Sequence, residues 1–176
     1  MEGLQTLRQM SIRQLASQCL NFVLIIASAL MIWKGLSVYS NSESPIVVVL
    51  SGSMEPAFQR GDLLFLSMSD EPIAVNDICV FKIEDRDIPI VHRVLRVHNN
   101  RKTGEQYLLT KGDNNPVDDR GLYNPGQDWV RRKEVVGRVK GFLPYLGMVT
   151  IMINDYPQLR YILLGILFVI MLFSRD

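Results

Sequence analysis

Charge is absent from twenty consecutive residues, Gln14 to Trp33, and the run is apolar enough to form one membrane helix. At about 1.5 Å per residue it reaches roughly 30 Å, the thickness of a bilayer core. Beyond it the pattern changes to an alternation of period two. Strands are predicted over Ile46–Leu50, Leu63–Met68, Asp77–Ile83, Ile88–His98, Gln106–Lys111, Val135–Phe142 and Met148–Ile153. Turn chemistry separates them at Gln59–Asp62, Glu84–Asp87, Asn99–Gly104 and Asn114–Pro116. Short strands with no helical pattern between them predict an all-β domain. A second apolar run, Tyr161–Phe173, ends the chain. Its uncharged stretch amounts to about 21 Å of helix, too short to cross an ordinary bilayer. Being terminal and apolar all round, it is read as half-inserted or packed on a partner's membrane helices.

The length of 176 residues suits one domain with short appendages. A net charge of +1 and the lack of any Lys/Arg block argue against a nucleic-acid surface. Arg8 and Arg13 precede the first apolar run, whereas Lys34 follows it and the next charge is Glu43. That asymmetry favours a cytosolic N-terminus, with Trp33 and Tyr39 placed as interfacial aromatics. Val38 and Ser40 fit the small −3 and −1 positions of a cleaved leader, but the run exceeds a typical leader core, so an uncleaved anchor is expected. Cys19 lies in the membrane run and Cys79 in a strand, so no disulfide framework is expected.

Against this background Pro45–Leu50 runs straight into Ser51-Gly52-Ser53, stopped by Met54 and Pro56. Gly52 lacks the Cβ that keeps another backbone at a distance, and a serine hydroxyl is delivered at a strand edge. Alone, such a tripeptide is a turn after a core strand. A serine nucleophile also needs a base. The two histidines are His92 and His98. Alternation puts Ile90, His92 and Val94 on one face, a setting that suits a satisfied core histidine or a neutral general base. His98 ends the strand and is expected to be exposed. A carboxylate to orient the imidazole is available at Asp113, Asp118 or Asp119, in the long polar stretch between Lys111 and Val130. The same acids also serve as Asx-turn residues, and they lack the spacing of a calcium loop.

Four ordered segments then carry a resemblance: Ser51-Gly52-Ser53-Met54-Glu55-Pro56, Arg60-Gly61-Asp62, Val91-His92-Arg93-Val94, and Lys111-Gly112-Asp113-Asn114-Asn115 with Asp118-Asp119-Arg120. Together, behind a membrane anchor, they resemble the boxes of type I signal peptidases. His-Arg replaces the Lys-Arg of the bacterial enzymes, as in the endoplasmic-reticulum form. The resemblance implies a mainly β, signal-peptidase-type (LexA-like) domain with an N-terminal transmembrane helix and a short C-terminal apolar helix. It implies a cytosolic segment 1–13, an anchor 14–36, a lumenal peptidase domain 37–158 and a membrane-associated helix 159–176.

By the same resemblance Ser53 is the nucleophile, His92 the base and Asp119 its acidic partner. Asp118 aligns with the bacterial aspartate, and Asp113 is a supporting or alternative acid. The Ser53 N–H and the Ser51 hydroxyl are the implied oxyanion donors, and Ile46, Val47, Val48, Val49 and Leu50 the substrate-pairing strand. No metal or cofactor is implied. The implied partners are signal peptides of secretory and membrane preproteins, noncatalytic membrane subunits of the complex and the bilayer, with no nucleic acid. The implied setting is the endoplasmic-reticulum membrane, single-pass with the catalytic domain lumenal. The shortness of the tail suggests a locally thinned membrane that favours substrates with short apolar runs.

Overall fold

The computed structural model describes residues 11–84, 88–101 and 103–173. Arg8 and most of the turn expected at Glu84–Asp87 lie outside them. The chain divides into two compact units: the helical segments to Leu36 and from Ile153, and the stretch Ser37–Met152.

The uncharged N-terminal run lies in one helix, α1 (Ile12–Ser40), which at 29 residues is about 43 Å long and exceeds the expected 14–36. Its start is a capping box. Ser11 Oγ accepts from the Gln14 N–H at 3.3 Å, and Gln14 Oε1 accepts from the Ser11 N–H at 3.0 Å. It stops at Asn41, whose positive φ of 49° lets Ser42 N–H reach back to Ser37 O and Asn41 N–H to Val38 O. The helix is long and apolar enough to cross a membrane.

Seven strands follow: β1 (Ile46–Val48), β2 (Leu63–Ser67), β3 (Ile78–Phe81), β4 (Ile90–Asn99), β5 (Gln106–Lys111), β6 (Val130–Arg131) and β7 (Val135–Leu143). They form one antiparallel sheet in the order β1-β2-β7-β3-β4-β5-β6, so β1 and β6 are its edges. Both faces are buried, as β3 shows: Cys79 and Phe81 join a core with Ile73, Val94, Leu108 and Tyr123, while Val80 joins a second with Val49, Met54, Phe58 and Leu64. Register shifts at Phe65/Leu66, Val80/Phe81 and Val94/Arg96 bend the strands, as bulges do.

One expected strand is a helix. Met148–Ile153 lies in α2 (Met148–Asp155), although its residues are β-formers. Tyr145, at φ 58°, turns the chain, and Gly147 N–H donates to Gly61 O at 2.8 Å. Ile151 N–H then returns to Gly147 O, closing a helical turn that buries Ile151. Tertiary closure overrides local propensity here. The tail is α3 (Pro157–Phe173), about 25 Å long, opened by a proline whose missing N–H costs nothing at a first helical position. The two-residue β6 was not expected, because so short a pairing leaves no periodicity.

Candidate active site

The end of β1 is held by backbone bonds that also determine which groups its outer edge presents. Pro45 O accepts from Leu66 N–H, Val49 N–H donates to Asp62 O, and Val49 O accepts from Gly61 N–H. Odd-numbered residues therefore face β2. By the alternation of an antiparallel ladder, the N–H and C=O of Ile46, Val48 and Leu50 face the open edge. The loop after β2's partner is tied down by Asp62, which is buried and accepts from Gln59 N–H at 2.9 Å and Tyr145 N–H at 3.1 Å. The Arg60-Gly61-Asp62 segment is thus a structural clamp behind the serine turn. Gly61, at φ +96°, has no room for a Cβ beside Met148.

Met54, 1% exposed, plugs the second core and anchors the turn that presents Ser53. Ser53 Oγ lies 3.0 Å from His92 Nε2, and His92 Nδ1 lies 2.6 Å from Asp119 Oδ2. His92 and Asp119 are buried, at 3% and 1% exposure. The imidazole sits on β4 opposite Cys79, edge-on to Phe81 at 6.5 Å between ring centres. An ionised carboxylate only accepts, so Nδ1 carries the proton and Nε2 is left to accept from the Ser53 hydroxyl. This arrangement can draw a proton off a serine and stabilise the imidazolium that results. Ser51 Oγ lies 3.3 Å from Ser53 Oγ.

The three acids of the polar stretch separate. Asp119 reaches His92. Asp113 instead takes a bidentate pair with Arg93, at 2.8 Å from Nε and 2.7 Å from a terminal nitrogen, and Arg93 also donates to Asn76. The Arg93 hydrogen bond holds the Asp113 carboxyl below its ordinary range. Asp118 caps the 3-10 helix Asp119–Leu122, accepting from Arg120 N–H. Neither Asp113 nor Asp118 bonds the histidine ring, so the structure does not place them as alternative acids. His98 is exposed, beside Trp129.

Glycine is needed at Gly112 more than at Gly52. A Cβ on Gly52 would meet only the Glu55 side chain, which can move away. A Cβ on Gly112 would stand 2.6 Å from Ser53 O and 2.9 Å from His92 Nε2. Its turn is pinned by Asn114, whose N–H donates to Ser53 O at 2.9 Å and whose side chain donates to Gly52 O at 3.1 Å. Sequence reasoning also passed over Thr110 and Tyr123. The available signal was Tyr123 as the single aromatic between Lys111 and Asp128.

Alongside runs a groove of about 700 Å³, with Val47, Val49, Met54, Ile90 and Leu122 in its walls and Ser53 and His92 in its lining. Its walls are mainly apolar and its polar groups converge at the serine, the usual make-up of a substrate site.

A family model described as Peptidase S24-like matches residues 23–139, and one described as Signal peptidase C-terminal short helix matches residues 148–173. The chain is 61% identical over 171 residues to the signal peptidase complex catalytic subunit SEC11C of Homo sapiens, covering 97% of this chain and 88% of the relative. It is 60% identical over 163 residues to the corresponding sec11 subunit of Dictyostelium discoideum, with 93% and 90% covered. The SEC11 subunit of Schizophyllum commune is 55% identical over 190 residues, with 99% and 98% covered.

Proposed function

The chain belongs to the Peptidase S24-like family, among its signal peptidase catalytic subunits, and from that premise we propose that it is a membrane-bound serine endopeptidase removing N-terminal signal peptides. The observation that carries this is the bonded series Asp119–His92–Ser53 at the mouth of an apolar groove beside an open strand edge.

Ser53 Oγ attacks the scissile carbonyl while His92 Nε2 takes its proton, and the Asp119 anion stabilises the imidazolium. The tetrahedral oxyanion is met by the Ser53 N–H and the Ser51 hydroxyl; one such donor is typically worth about 100- to 1,000-fold in rate. His92 then gives its proton to the leaving amine, releasing the mature chain's N-terminus. Water, activated by the same imidazole, hydrolyses the Ser53 ester that remains.

The extended C-terminal part of a signal peptide joins the sheet as an added strand along Ile46–Leu50. Only small side chains at −1 and −3 fit shallow recesses walled by Val47, Val49, Met54 and Ile90. Such recesses exclude bulk well and separate small residues poorly, so many sequences are cleaved. Helix α1 is the membrane anchor, with its N-terminus cytosolic and Ser37–Met152 in the endoplasmic-reticulum lumen. Helix α3 associates with a locally thinned bilayer or with noncatalytic subunits, which favours short apolar runs in the substrate.

Ser53→Ala in the full chain, expressed in cells that lack other copies of the subunit, is expected to abolish preprotein processing while assembly with its membrane partners persists. Processing that survives this substitution sinks the proposal.

A further inference from the structure

Two hydroxyl groups behind Asp119 take no part in the chemistry above. Thr110, on β5, is fully buried, and Tyr123, just after the 3-10 helix, is 6% exposed. Thr110 Oγ1 lies 2.6 Å from Asp119 Oδ2, the same oxygen that faces His92. Tyr123 OH lies 2.9 Å from Thr110 Oγ1 and accepts from the Thr110 N–H at 3.0 Å.

Counting protons orders the bonds. The carboxylate cannot donate, so the one hydroxyl proton of Thr110 goes to Asp119. Thr110 Oγ1 can then only accept from Tyr123, and the Tyr123 oxygen spends a lone pair on the Thr110 N–H. We propose that Thr110 and Tyr123 are positioning residues for the peptidase reaction, a one-way chain from Tyr123 O–H through Thr110 O–H that fixes the Asp119 carboxylate against His92. This rests on the reading of Ser53, His92 and Asp119 as the reacting groups.

Two consequences follow from physics. Asp119 starts a short 3-10 turn, and its carboxylate would be free to rotate about its own side-chain bonds. A second donor on Oδ2 stops that rotation, so the imidazole plane stays aimed at Ser53. Thr110 also withdraws charge from the oxygen that holds the His92 proton, and so moderates how tightly an imidazolium is held. Burial raises the Tyr123 phenol above its ordinary value, so the chain keeps its donor across the working range.

The other titratable groups facing this cluster leave its polarity intact. Cys79, opposite His92 on β3, is pushed by burial up to about 12 and stays a neutral thiol. Asp113 and Lys111 flank the turn after β5, where Asp113 is neutralised by Arg93 from β4. Asp118 is spent on its cap, and its charge acts on the Tyr123 phenol in the same direction as burial.

The test uses the full chain in its membrane assembly with a synthetic preprotein, comparing Thr110→Val, Thr110→Ser and Tyr123→Phe with Ser53→Ala. Thr110→Val is expected to lower kcat about ten- to hundred-fold, the span of a hydrogen bond to a charged group expressed as a rate, with KM unchanged. The acid limb of kcat/KM should move to higher pH, because an undrained carboxylate holds the imidazolium more tightly. Thr110→Ser should restore both rate and limb, and Tyr123→Phe should shift both the same way by less. The proposal is overturned if Thr110→Val keeps the wild-type kcat and acid limb while Ser53→Ala is dead. It is equally overturned if Thr110→Ser behaves like Thr110→Val, since packing and not the hydroxyl is then what matters. Activity surviving in Ser53→Ala overturns the catalytic reading itself, a separate outcome.

Discussion

Asp113 and Asp119 lie six residues apart on one polar stretch, yet the fold assigns them to opposite kinds of work. Asp119 is buried beside His92, the base of the proposed reaction. Asp113, on the rim at 20% side-chain exposure, is locked to a permanently charged guanidinium. A carboxylate paired with Arg is a fixed strut, because neither partner changes charge near neutrality. One paired with His can follow a reaction, since an imidazole can take up and release a proton whereas a guanidinium cannot. The difference originates on β4, where alternation sends His92 inward and Arg93 to the other face. Adjacent residues on one strand thus hold one acid at the imidazole and the other at the turn that sets Gly112 against Ser53.

The sharpest way to break this contrast is Asp119→Asn. The amide keeps the shape but favours the wrong imidazole tautomer, so kcat should fall by about 10,000-fold with folding retained. Measuring kcat alongside thermal melting checks this; a loss under tenfold would remove Asp119 from the machinery.

Gly112→Ala probes the rim's grip on the chemistry. Its methyl would press on the Ser53 carbonyl, a backbone atom that cannot rotate away, and on the His92 ring. A shift of about 1 Å between Ser53 and His92 is expected to cost about 100-fold in kcat, with substrate affinity less affected. Single-turnover kinetics separate the two.

Asp113→Asn should act first on stability and less on rate. Losing the charged half of the bidentate pair is expected to destabilise the Ser37–Met152 unit by about 1–3 kcal/mol at neutral pH, read as a lower melting temperature. The sign follows from the depressed carboxyl. Its folded value lies below the unfolded one, about 3.9, so the stabilisation is complete above that value and is lost as pH falls through the folded one. Wild type and variant should therefore converge in acid. A gap that persists there would mean that packing, and not charge, makes the strut.

Much of this was legible along the chain. The α1 span follows from an uncharged run of membrane length, and the sheet from alternation punctuated by turns. Ser53 and His92 stand out because a serine at a strand end and a histidine on an apolar strand face are each uncommon enough to notice. The helix at Met148–Asp155 was not legible. Its β-forming residues obey a contact to Gly61 that lies 86 residues earlier in the chain of Gly147. Gly52 looked like the tight spot in the serine turn, whereas the crowded glycine is Gly112, which meets Ser53 only through folding.

What the sequence by itself determined was therefore the long apolar N-terminal helix, the β character of the domain and the residue types able to do acyl chemistry. These depend on local periodicity and on the chemistry of single side chains. Periodicity left three acids open, and the choice of Asp119 rested on the resemblance alone; that its carboxylate lies against the histidine, with Thr110 and Tyr123 behind it, is a matter of tertiary structure. Asp113, Asp118 and Asp119 share one stretch without periodicity, so nothing local distinguishes them. Where each one ends up follows from a 3-10 helix that buries Asp119, and from a β4–β5 pairing that sets Arg93 against Lys111, beside Asp113.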